Sequence, residues 1–298
     1  MCYVALLSIL QEPRSYTEVV QHQELRDAMR CELDALEKNN TWSLSPLPEA
    51  KWAIGCKWVY KTKLRADGTV ERYKARLVVK GFTQVKGVDY TDSFSLVAKT
   101  VIVRLFLAAT AVRGWPLQQL DINNAFLHGH LDEDIYMTPP EGYTVAITWS
   151  VSWRSLYGLK QASHQWNVEL TFCLTAYDFN QSAHDHYLFV KHTPTGPMAL
   201  LVYVNDILLT SHSLSGIQEV KDYLYDLFTI KNIGNARNFL GLEITRNMNG
   251  QYVSQTKYVI NVICDIGLTQ AKSASTPLPQ GLKLRSKTDK LLLNPDSY

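Results

Sequence analysis

The chain has 298 residues, of which 46% are hydrophobic, 11% aromatic and 19% charged. This composition is typical of a folded globular protein and argues against a collagen, a coiled coil or an intrinsically disordered chain. With 30 Lys and Arg against 28 Asp and Glu, the formal net charge is +2, so the total charge alone does not indicate a nucleic-acid partner.

The cysteines and the hydrophobic runs limit the cellular setting. Five thiols are scattered without the Cys-x-x-Cys spacing of a zinc or redox site: Cys2, Cys31, Cys56, Cys173 and Cys264. Scattered cysteines in odd number are typical of a reducing compartment, so we expect an intracellular protein, cytoplasmic or nuclear. No apolar run reaches the roughly 18 residues of a membrane span, so no membrane partner is expected.

The first predicted element is a helix from residue 17 to residue 38. Leu25, Met29, Leu33 and Leu36 recur in it at helical spacing.

The next segment, residues 51–86, carries ten Lys and Arg against two acids, a net charge of +8. Its pattern has period two on both sides of Asp67-Gly68, which is a hairpin turn signal.

The alternation within this segment predicts a two-stranded ribbon with two different faces. The apolar face comprises Cys56, Trp58, Tyr60, Leu64, Tyr73, Ala75, Leu77 and Val79. The opposite, basic face comprises Lys57, Lys61, Lys63, Arg72, Lys74, Arg76 and Lys80. A solvated edge strand protected by lysines would give a similar pattern. Seven basic residues on one face are more than an edge strand needs to avoid pairing with another chain, so we favour polyanion binding.

Beyond the ribbon, helices are predicted at residues 100–113, 159–177 and 256–266, and another is capped by Ser215 with Gln218. Gly267 is expected just past the end of the helix at 256–266. In the helix at 100–113 the expected core-facing residues are Leu105, Phe106, Ala109 and Val112, and in the helix at 159–177 they are Trp166, Leu170, Cys173, Leu174 and Tyr177. In the helix capped by Ser215 they are Ile217, Val220, Leu224 and Leu227. Strands are predicted at 118–122, 199–203, 207–210 and 238–244.

Two of these strands carry acids at their ends. Asp121 lies near the end of strand 118–122, and Asn205-Asp206 separates the two apolar runs at 199–203 and 207–210. Because Asn and Asp are common in turns, a plain hairpin turn is one interpretation. The other is that Asp206 lies beside Asp121, where a divalent cation would relieve the repulsion of two carboxylates.

Several motifs occur in a fixed order and resemble the reverse transcriptase of copia-type LTR retrotransposons. They are residues 54–61 (IGCKWVYK), 72–78 (RYKARLV), 119–127 (QLDINNAFL), 155–162 (SLYGLKQA), 203–207 (YVNDI) and 239–244 (FLGLEI). Each motif alone is a weak signal, whereas the whole set in this order is specific. The resemblance covers residues 41–282.

The resemblance implies an α+β right-hand polymerase with fingers, a palm of antiparallel strands with packed helices, and a partial thumb. A helical segment, residues 1–40, would precede a reverse transcriptase domain at 41–282. In that domain the fingers would span 41–115, the palm 116–235, and the primer grip with a partial thumb 236–272. The tail at 283–298 is expected to be loosely ordered.

The resemblance also implies the site residues. Asp121 and Asp206 would be the catalytic aspartates that hold two Mg²⁺ ions, with Mn²⁺ as an alternative ion. The nucleotide-binding residues would be Lys74, Arg76, Lys80, Asn124, Ala125, Phe126, Gly158, Lys160 and Gln161. The ring of Phe126 would exclude a 2′-hydroxyl. The primer grip would comprise Phe239, Leu240, Gly241, Leu242 and Glu243. The partners would be an RNA template, a DNA primer and deoxynucleoside triphosphates.

One departure from the family pattern bears directly on activity. The family has Tyr-x-Asp-Asp at the palm hairpin, whereas this chain has Tyr203-Val204-Asn205-Asp206. Asn205 keeps the shape of an aspartate but lacks its charge, and Mg²⁺ prefers carboxylate oxygens. We therefore expect a severe loss of activity, on the order of several kcal/mol of transition-state stabilisation. Residues 143–153 also depart from the family pattern.

Three hypotheses about function remain open at this stage. The first is an RNA-directed DNA polymerase domain, either working or impaired at residue 205. The second is a non-catalytic nucleic-acid-binding remnant of a transposon polyprotein. The third is a pseudogene product without a function. The sequence does not decide among them, nor does it give the oligomeric state.

Overall fold

The computed structural model describes residues 13, 15–49, 51–65, 69–93, 98–143, 149–151, 154–247 and 250–272. The chain divides into two compact units, and the boundary in the sequence falls between Ser254 and Gln255. The first unit has a mixed α and β architecture with several sheets. No helix in the described part of the chain is long and apolar enough to cross a membrane.

The predicted helix at residues 17–38 is two helices, α1 at Tyr16–Val19 and α2 at Gln23–Lys38. His22 between them has extended backbone angles, so helical hydrogen bonds do not run through it. β-Branched residues are frequent at 17–20, and such residues weaken a helix. The single long helix was therefore a wrong prediction, although Leu25, Met29 and Leu36 are buried as expected.

The predicted ribbon is confirmed. Strand β3 at Cys56–Leu64 pairs antiparallel with β4 at Val70–Val79. The register places Tyr60 opposite Ala75, and both are buried against α2 together with Leu25 and Met29. The apolar face of the ribbon therefore holds the N-terminal helix. The predicted turn at Asp67-Gly68 lies outside the described residues.

A small four-stranded sheet is formed by two strands that precede the ribbon in the sequence and two that follow it. Its order is β1-β7-β6-β2, and these strands are Ser43–Leu44, Trp149–Val151, Ile135–Met137 and Ala53–Ile54. A second hydrophobic core, which includes Leu36, Leu77 and Met137, joins this sheet to α2 and β4. Most of residues 143–153, which depart from the family pattern, lie outside the described residues.

A six-stranded sheet, here called the central sheet, forms the largest part of the first unit. Its order is β12-β5-β11-β10-β9-β8, and these strands are Ile230–Asn235, Leu117–Ile122, Asp206–Ser211, Gly196–Tyr203, Leu188–Thr193 and Asn180–Gln181. The three pairings from β5 to β9 are antiparallel, and β11 is buried over most of its length. The predicted strands at 118–122, 199–203 and 207–210 are confirmed.

Three helices share the apolar core of the central sheet: α3 at Thr100–Val112, α4 at Ala162–Ala176 and α5 at Leu214–Leu227. In α4, Trp166, Leu170, Cys173 and Leu174 of the predicted stripe are buried, whereas Tyr177, which follows the helix, is half-buried. Ser213, not Ser215, caps α5, because its Oγ accepts the Gly216 N–H at 3.1 Å. The capping-box prediction was wrong by two residues. Leu227, at the end of α5, is exposed, contrary to the prediction.

The inward face of α3 was also predicted wrongly. Of the four residues expected to face the core, only Phe106 is buried, whereas Leu105 is 61% and Val112 is 89% exposed. The buried stripe is Val103, Phe106, Leu107 and Thr110. The helix is apolar on nearly every side, so two stripes of helical period compete and the sequence period alone cannot choose between them.

The predicted strand at 238–244 is a hairpin instead. Strands β13 at Asn238–Phe239 and β14 at Leu242–Asn247 pair antiparallel, and β15 at Gly250–Ser254 completes a three-stranded sheet. Leu240 and Gly241 between β13 and β14 have φ values of 52° and 75°. Positive φ at both central residues is the geometry of the favoured two-residue hairpin turn.

The second unit contains helix α6 at Thr256–Asp265, as predicted. Gly267 follows it with a φ of 70°, which fits the predicted role of a glycine just past a helix end. None of the residues of α6 is buried. The predicted tail at 283–298 lies outside the described residues.

The ribbon lies very close to the segment that contains Gly158. The N–H of Val79 donates to the carbonyl of Tyr157 at 2.8 Å. A Cβ atom on Gly158 would lie 2.1 Å from the carbonyl oxygen of Val79, and one on Gly81 would lie 2.0 Å from the carbonyl oxygen of Gly158. Only glycine allows this approach, which fixes the position of β4 relative to this segment.

Substitution of Gly158 by alanine should therefore lower the free energy of unfolding by more than its positive φ alone would. Gly158 has φ 95° and Gly114 has φ 63°, but only Gly158 has atoms in the way of a Cβ. We expect Gly114→Ala to lower the free energy of unfolding by about 1–2 kcal/mol. Gly158→Ala should lower it by about 1–3 kcal/mol more. Urea unfolding measures both, and equal losses would contradict the close approach.

Candidate active site

The two predicted catalytic aspartates lie side by side on the central sheet. β5 and β11 pair antiparallel, and their register places Asp206 directly opposite Asp121. Directly opposed residues in such a pair have Cβ atoms about 5 Å apart. The structure thus brings together two acids that are 85 positions apart in the sequence, although their chemical role stays a prediction.

The hairpin beside this pair differs in detail from the prediction. Tyr203 pairs with Asp206, so the two turn residues are Val204 and Asn205, and Asp206 is the first residue of β11. Val204 has φ 56°, a left-handed conformation that is costly for a β-branched residue. Its carbonyl accepts the indole N–H of Trp166 at 2.7 Å. The carbonyl of Asn205 accepts the Ile122 N–H at 2.8 Å, so the turn is fixed on two sides.

Amide side chains hydrogen-bond both carboxylates. Asn205 donates its Nδ2–H to Oδ1 of Asp121, and Gln119 donates its Nε2–H to Oδ1 of Asp206 at 3.2 Å. Burial raises the pKa of Asp206, the hydrogen bond from Gln119 opposes this, and the charge of Asp121 raises the pKa further. Gln119 was not among the predicted site residues, although its position two residues before Asp121 places it on the same face of β5.

An aromatic and amide cluster lies next to the carboxylates. Asn124, with φ 52°, precedes a 3₁₀ helix at Ala125–His128. The hydroxyl of Tyr157 donates to Oδ1 of Asn124 at 3.4 Å, and its ring meets that of Phe126 edge to face with centroids 5.3 Å apart. Two predicted nucleotide-binding residues, Asn124 and Phe126, thus contact Tyr157, to which the sequence analysis gave no role.

The basic face of the ribbon reaches this cluster through Arg76. Its guanidinium carbon lies 4.3 Å from the centroid of the Tyr157 ring. Burial lowers the pKa of Lys74, as do the charges of Arg76 and Arg72. Burial raises the pKa of Glu32 on α2, and the charge of Arg76 opposes that rise, so this carboxylate faces the same cations. Sequence patterns gave no signal for Glu32, which is distant in the chain from its partners.

Lys80, the third cation predicted to meet phosphate, is placed elsewhere. Its backbone N–H donates to the carbonyl of Gly55 at 2.7 Å, and its side chain passes over Gly55. It lines a cavity of about 560 Å³ together with Cys56, Trp58 and Glu141. The structure therefore brings Arg76 to Tyr157 and directs Lys80 along the edge of β3.

The predicted nucleotide-binding residues Lys160 and Gln161 hold a turn in place. The Lys160 N–H donates to Oε1 of Gln84 at 2.9 Å, and Gln84 donates its Nε2–H to Oε1 of Gln161 at 3.1 Å. Gln161 is 1% exposed and donates its own Nε2–H to the carbonyl of Asp89. In the structure these side chains fix the loop at residues 81–89.

The predicted primer grip is the hairpin of β13 and β14. Phe239 is buried in the core of the central sheet, whereas Leu240 at the turn is exposed. Ser254 donates its hydroxyl to Oε2 of Glu243 at 3.3 Å. The N–H of Ala236 donates to the carbonyl of Leu117, which ties the segment before this hairpin to β5, the strand of Asp121.

The same region contains only part of the ligand set of a metal site. Among the residues that the structure describes, no group of three or more His, Cys, Asp or Glu side chains could hold a metal ion. Asp121 and Asp206 supply two carboxylates, and the neighbouring position at 205 is an amide. This donor set fits cation binding, with one negative charge fewer than a three-carboxylate site.

Comparison with known proteins gives a consistent result over most of the chain. The family model described as reverse transcriptase (RNA-dependent DNA polymerase) matches residues 39–280. The Pol polyprotein of transposon RE1 from Arabidopsis thaliana is 36% identical over 301 residues, which cover 98% of this chain and 20% of that protein. The Pol polyprotein of transposon TNT 1-94 from Nicotiana tabacum is 38% identical over 292 residues, or 95% of this chain and 22% of its own length.

A shorter relative extends the comparison beyond plants. The putative transposon Ty5-1 protein YCL074W of Saccharomyces cerevisiae is 31% identical over 163 residues, which cover 53% of each chain. This chain spans about a fifth of the length of the plant polyproteins that it matches. The family model begins at residue 39, directly after helix α2.

The raised pKa of Asp206 predicts that this side chain costs stability. Because its pKa is higher in the folded protein than in the unfolded chain, the ionised form destabilises the fold at neutral pH. This cost disappears as the pH falls through both values. Asp206→Asn should therefore raise the free energy of unfolding at pH 7, and the gain should vanish near about pH 3.

Urea unfolding across this pH range tests the prediction, with Asp92→Asn as a matched control at an exposed aspartate. The control should stay within about 0.5 kcal/mol of the wild type. A gain at Asp206→Asn that persists unchanged in acid would show that charge is not its cause.

Proposed function

The chain belongs to the reverse transcriptase (RNA-dependent DNA polymerase) family of copia-type transposon polyproteins, and we propose that its central sheet is the palm of a polymerase impaired at residue 205. The observation that carries this proposal is the direct pairing of Asp121 with Asp206 across β5 and β11. The activity would be RNA-directed DNA synthesis, with an RNA template, a DNA primer and deoxynucleoside triphosphates as partners.

We propose that the chain carries the parts of a right-hand polymerase. The ribbon and its surroundings, residues 41–115, would form the fingers, and residues 116–235, which contain the central sheet, would form the palm. Residues 236–272 would supply the primer grip and part of the thumb. The helical segment at residues 1–40 would precede this domain and pack against the fingers, which is supported by the burial of α2 on the ribbon.

Asp121 and Asp206 would hold the divalent cations of the reaction, two Mg²⁺ or Mn²⁺ ions. When bound, such ions stabilise negative charge on the reacting oxygens of a phosphoryl transfer. In the reaction the primer 3′-hydroxyl forms a bond to the α-phosphorus, and the bond from that phosphorus to the pyrophosphate breaks. The two carboxylates lie on a rigid sheet, which favours a fixed geometry at this position.

Other residues would bind and orient the substrates. The guanidinium of Arg76, placed over Tyr157, would meet phosphate charge, because it is permanently cationic. The backbone at Asn124 and Ala125 would lie beneath the triphosphate. The ring of Phe126, braced by Tyr157, would fill the space that a 2′-hydroxyl requires and so select deoxynucleotides. The hairpin at Phe239 to Glu243 would orient the primer end.

Asn205 accounts for the proposed impairment. Its amide donates a hydrogen bond to Asp121, so it holds the carboxylate in place without adding negative charge. A cation bound here would lose one anionic ligand and would compete with the amide for the oxygen of Asp121. Both effects weaken the binding of hard divalent cations.

Restoring the carboxylate should restore synthesis. We expect Asn205→Asp to raise Mg²⁺-dependent extension of a DNA primer on an RNA template by about 10²- to 10³-fold, the usual size of a deleted electrostatic contribution. Asn123→Asp adds the same charge at an exposed position two residues from Asp121 and should give no such gain. No difference between the two variants would argue against residue 205 as a metal ligand.

The charge of the ribbon supports a second candidate function, a nucleic-acid-binding remnant without synthesis. Lys57, Lys61, Lys63 and Arg72 are exposed on its basic face. Their binding to phosphate would not depend on the carboxylate pair. Primer extension by Asn205→Asp, but none by the wild type, would leave binding as the wild-type function.

Binding through the ribbon should respond to salt. Lys74→Gln removes one cation of the basic face and should weaken the binding of an RNA–DNA duplex, while the slope of log K against log salt should decrease by about 0.9. Arg104→Gln removes a cation from the exposed side of α3 and should leave the slope unchanged. Fluorescence anisotropy at several salt concentrations gives both slopes, and equal changes would contradict binding by the ribbon.

A further inference from the structure

An exposed aromatic ring lies just beyond the end of β4. Phe82 is 75% exposed on the 3₁₀ turn at Gly81–Thr83, which directly follows the basic strand. Val85 and Val88 in the same loop are also exposed. An apolar patch on an ordered loop marks a binding surface more often than an isolated exposed residue does.

The backbone under this ring is rigid. Gly81 packs against the carbonyl of Gly158, where a Cβ would have no room. Gln84 is 4% exposed, and its side chain hydrogen-bonds Lys160 and Gln161. Because buried contacts fix both ends of the turn, Phe82 is held outward by the fold.

Contacts through the backbone connect this position to the candidate active site. Gly81 touches Gly158, and the adjacent Tyr157 contacts Arg76 and Phe126. Phe82 therefore lies at the outer end of a contact chain that runs through Gly81 and Gly158 to the Tyr157 cluster of the candidate site. A substrate strand that reaches Arg76 from this side would pass the ring.

The surroundings of Phe82 determine what it would bind. Lys86 is exposed in the same loop, and Lys160, whose Nζ donates to the carbonyl of Gln84, lies in the segment that supports the turn. An aromatic face combined with cations is how proteins bind unpaired nucleotides, because bases stack on the ring and phosphates meet the charges. In a duplex the base faces are already stacked, so the ring requires an unpaired base.

We propose that Phe82 is a stacking platform for an unpaired base of the template strand as that strand approaches the site. This inference rests on the proposed function and adds a residue that selects single-stranded template. The ring supplies stacking without charge, so its contribution is independent of salt, in contrast to that of the basic face.

Binding of two matched nucleic acids to the wild-type protein and its variants tests this role. One is a blunt RNA–DNA duplex, and the other carries a 5′ RNA overhang with 2-aminopurine at its first unpaired position. We expect Phe82→Ala to weaken binding of the overhang substrate by about 5- to 150-fold, the range of one base stack, and to leave the blunt duplex unchanged. The quenching of 2-aminopurine fluorescence by the wild type should be lost, and Phe82→Trp should retain it.

Phe172→Ala is the matched control, because Phe172 is a phenylalanine on α4 that is 70% exposed. It should change neither binding nor quenching. If Phe82→Ala binds the overhang like the wild type, weakens both substrates equally or matches Phe172→Ala, the stacking role is wrong. If the wild type binds neither substrate even at low salt, the proposed function fails as well, so the two failures are distinguishable.

Discussion

The pairing of Asp121 with Asp206 is the constraint on which the candidate site depends. Two carboxylates on neighbouring strands repel each other, and burial of one increases the cost. The central sheet maintains this arrangement because strong contacts hold the turn beside it: Trp166 bonds the carbonyl of Val204, and the backbone of Ile122 bonds that of Asn205. The left-handed conformation of Val204 is a second local cost, and such costs concentrate at functional sites.

Much of the fold could be predicted where a single element has an unambiguous pattern. The ribbon has strict alternation, and its register confirms both predicted faces except at Leu64, where the register shifts, and at Lys80, which follows β4. The position of Gly267 just past the end of α6 was predictable because glycine readily adopts positive φ. Prediction failed where two local patterns compete, as in α3 with its two apolar stripes, or where a turn has no Asn-Gly or Asp-Gly signal. Leu240-Gly241 is such a turn, so two strands were predicted as one.

The candidate site was predictable only in part, because local sequence patterns do not show contacts between residues that are distant in the chain. From the strand pattern, the proximity of Asp121 and Asp206 was one of two open interpretations, and the family resemblance indicated the pair. The residues that support them were missed because their partners are distant in sequence. Tyr157 meets Arg76 across 81 positions, and no pattern of period 2 or 3.6 carries that information. Glu32 likewise reaches the ribbon from a helix outside the residues matched by the family model.

Asn205 has opposite expected effects on the stability of this site and on its proposed chemistry. An aspartate there would add a third carboxylate beside two that already repel, and in the absence of a cation this would destabilise the sheet. The amide instead donates a hydrogen bond to Asp121 and leaves the turn intact. Relative to the family pattern, the amide would therefore remove a proposed metal ligand while it relieves the repulsion between carboxylates, as expected where an active site is optimised for function at the expense of stability. The exposed cations of the basic face lie on β3 and β4, whereas the carboxylate pair lies on β5 and β11. The proposed binding of nucleic acid therefore would not require the proposed synthesis.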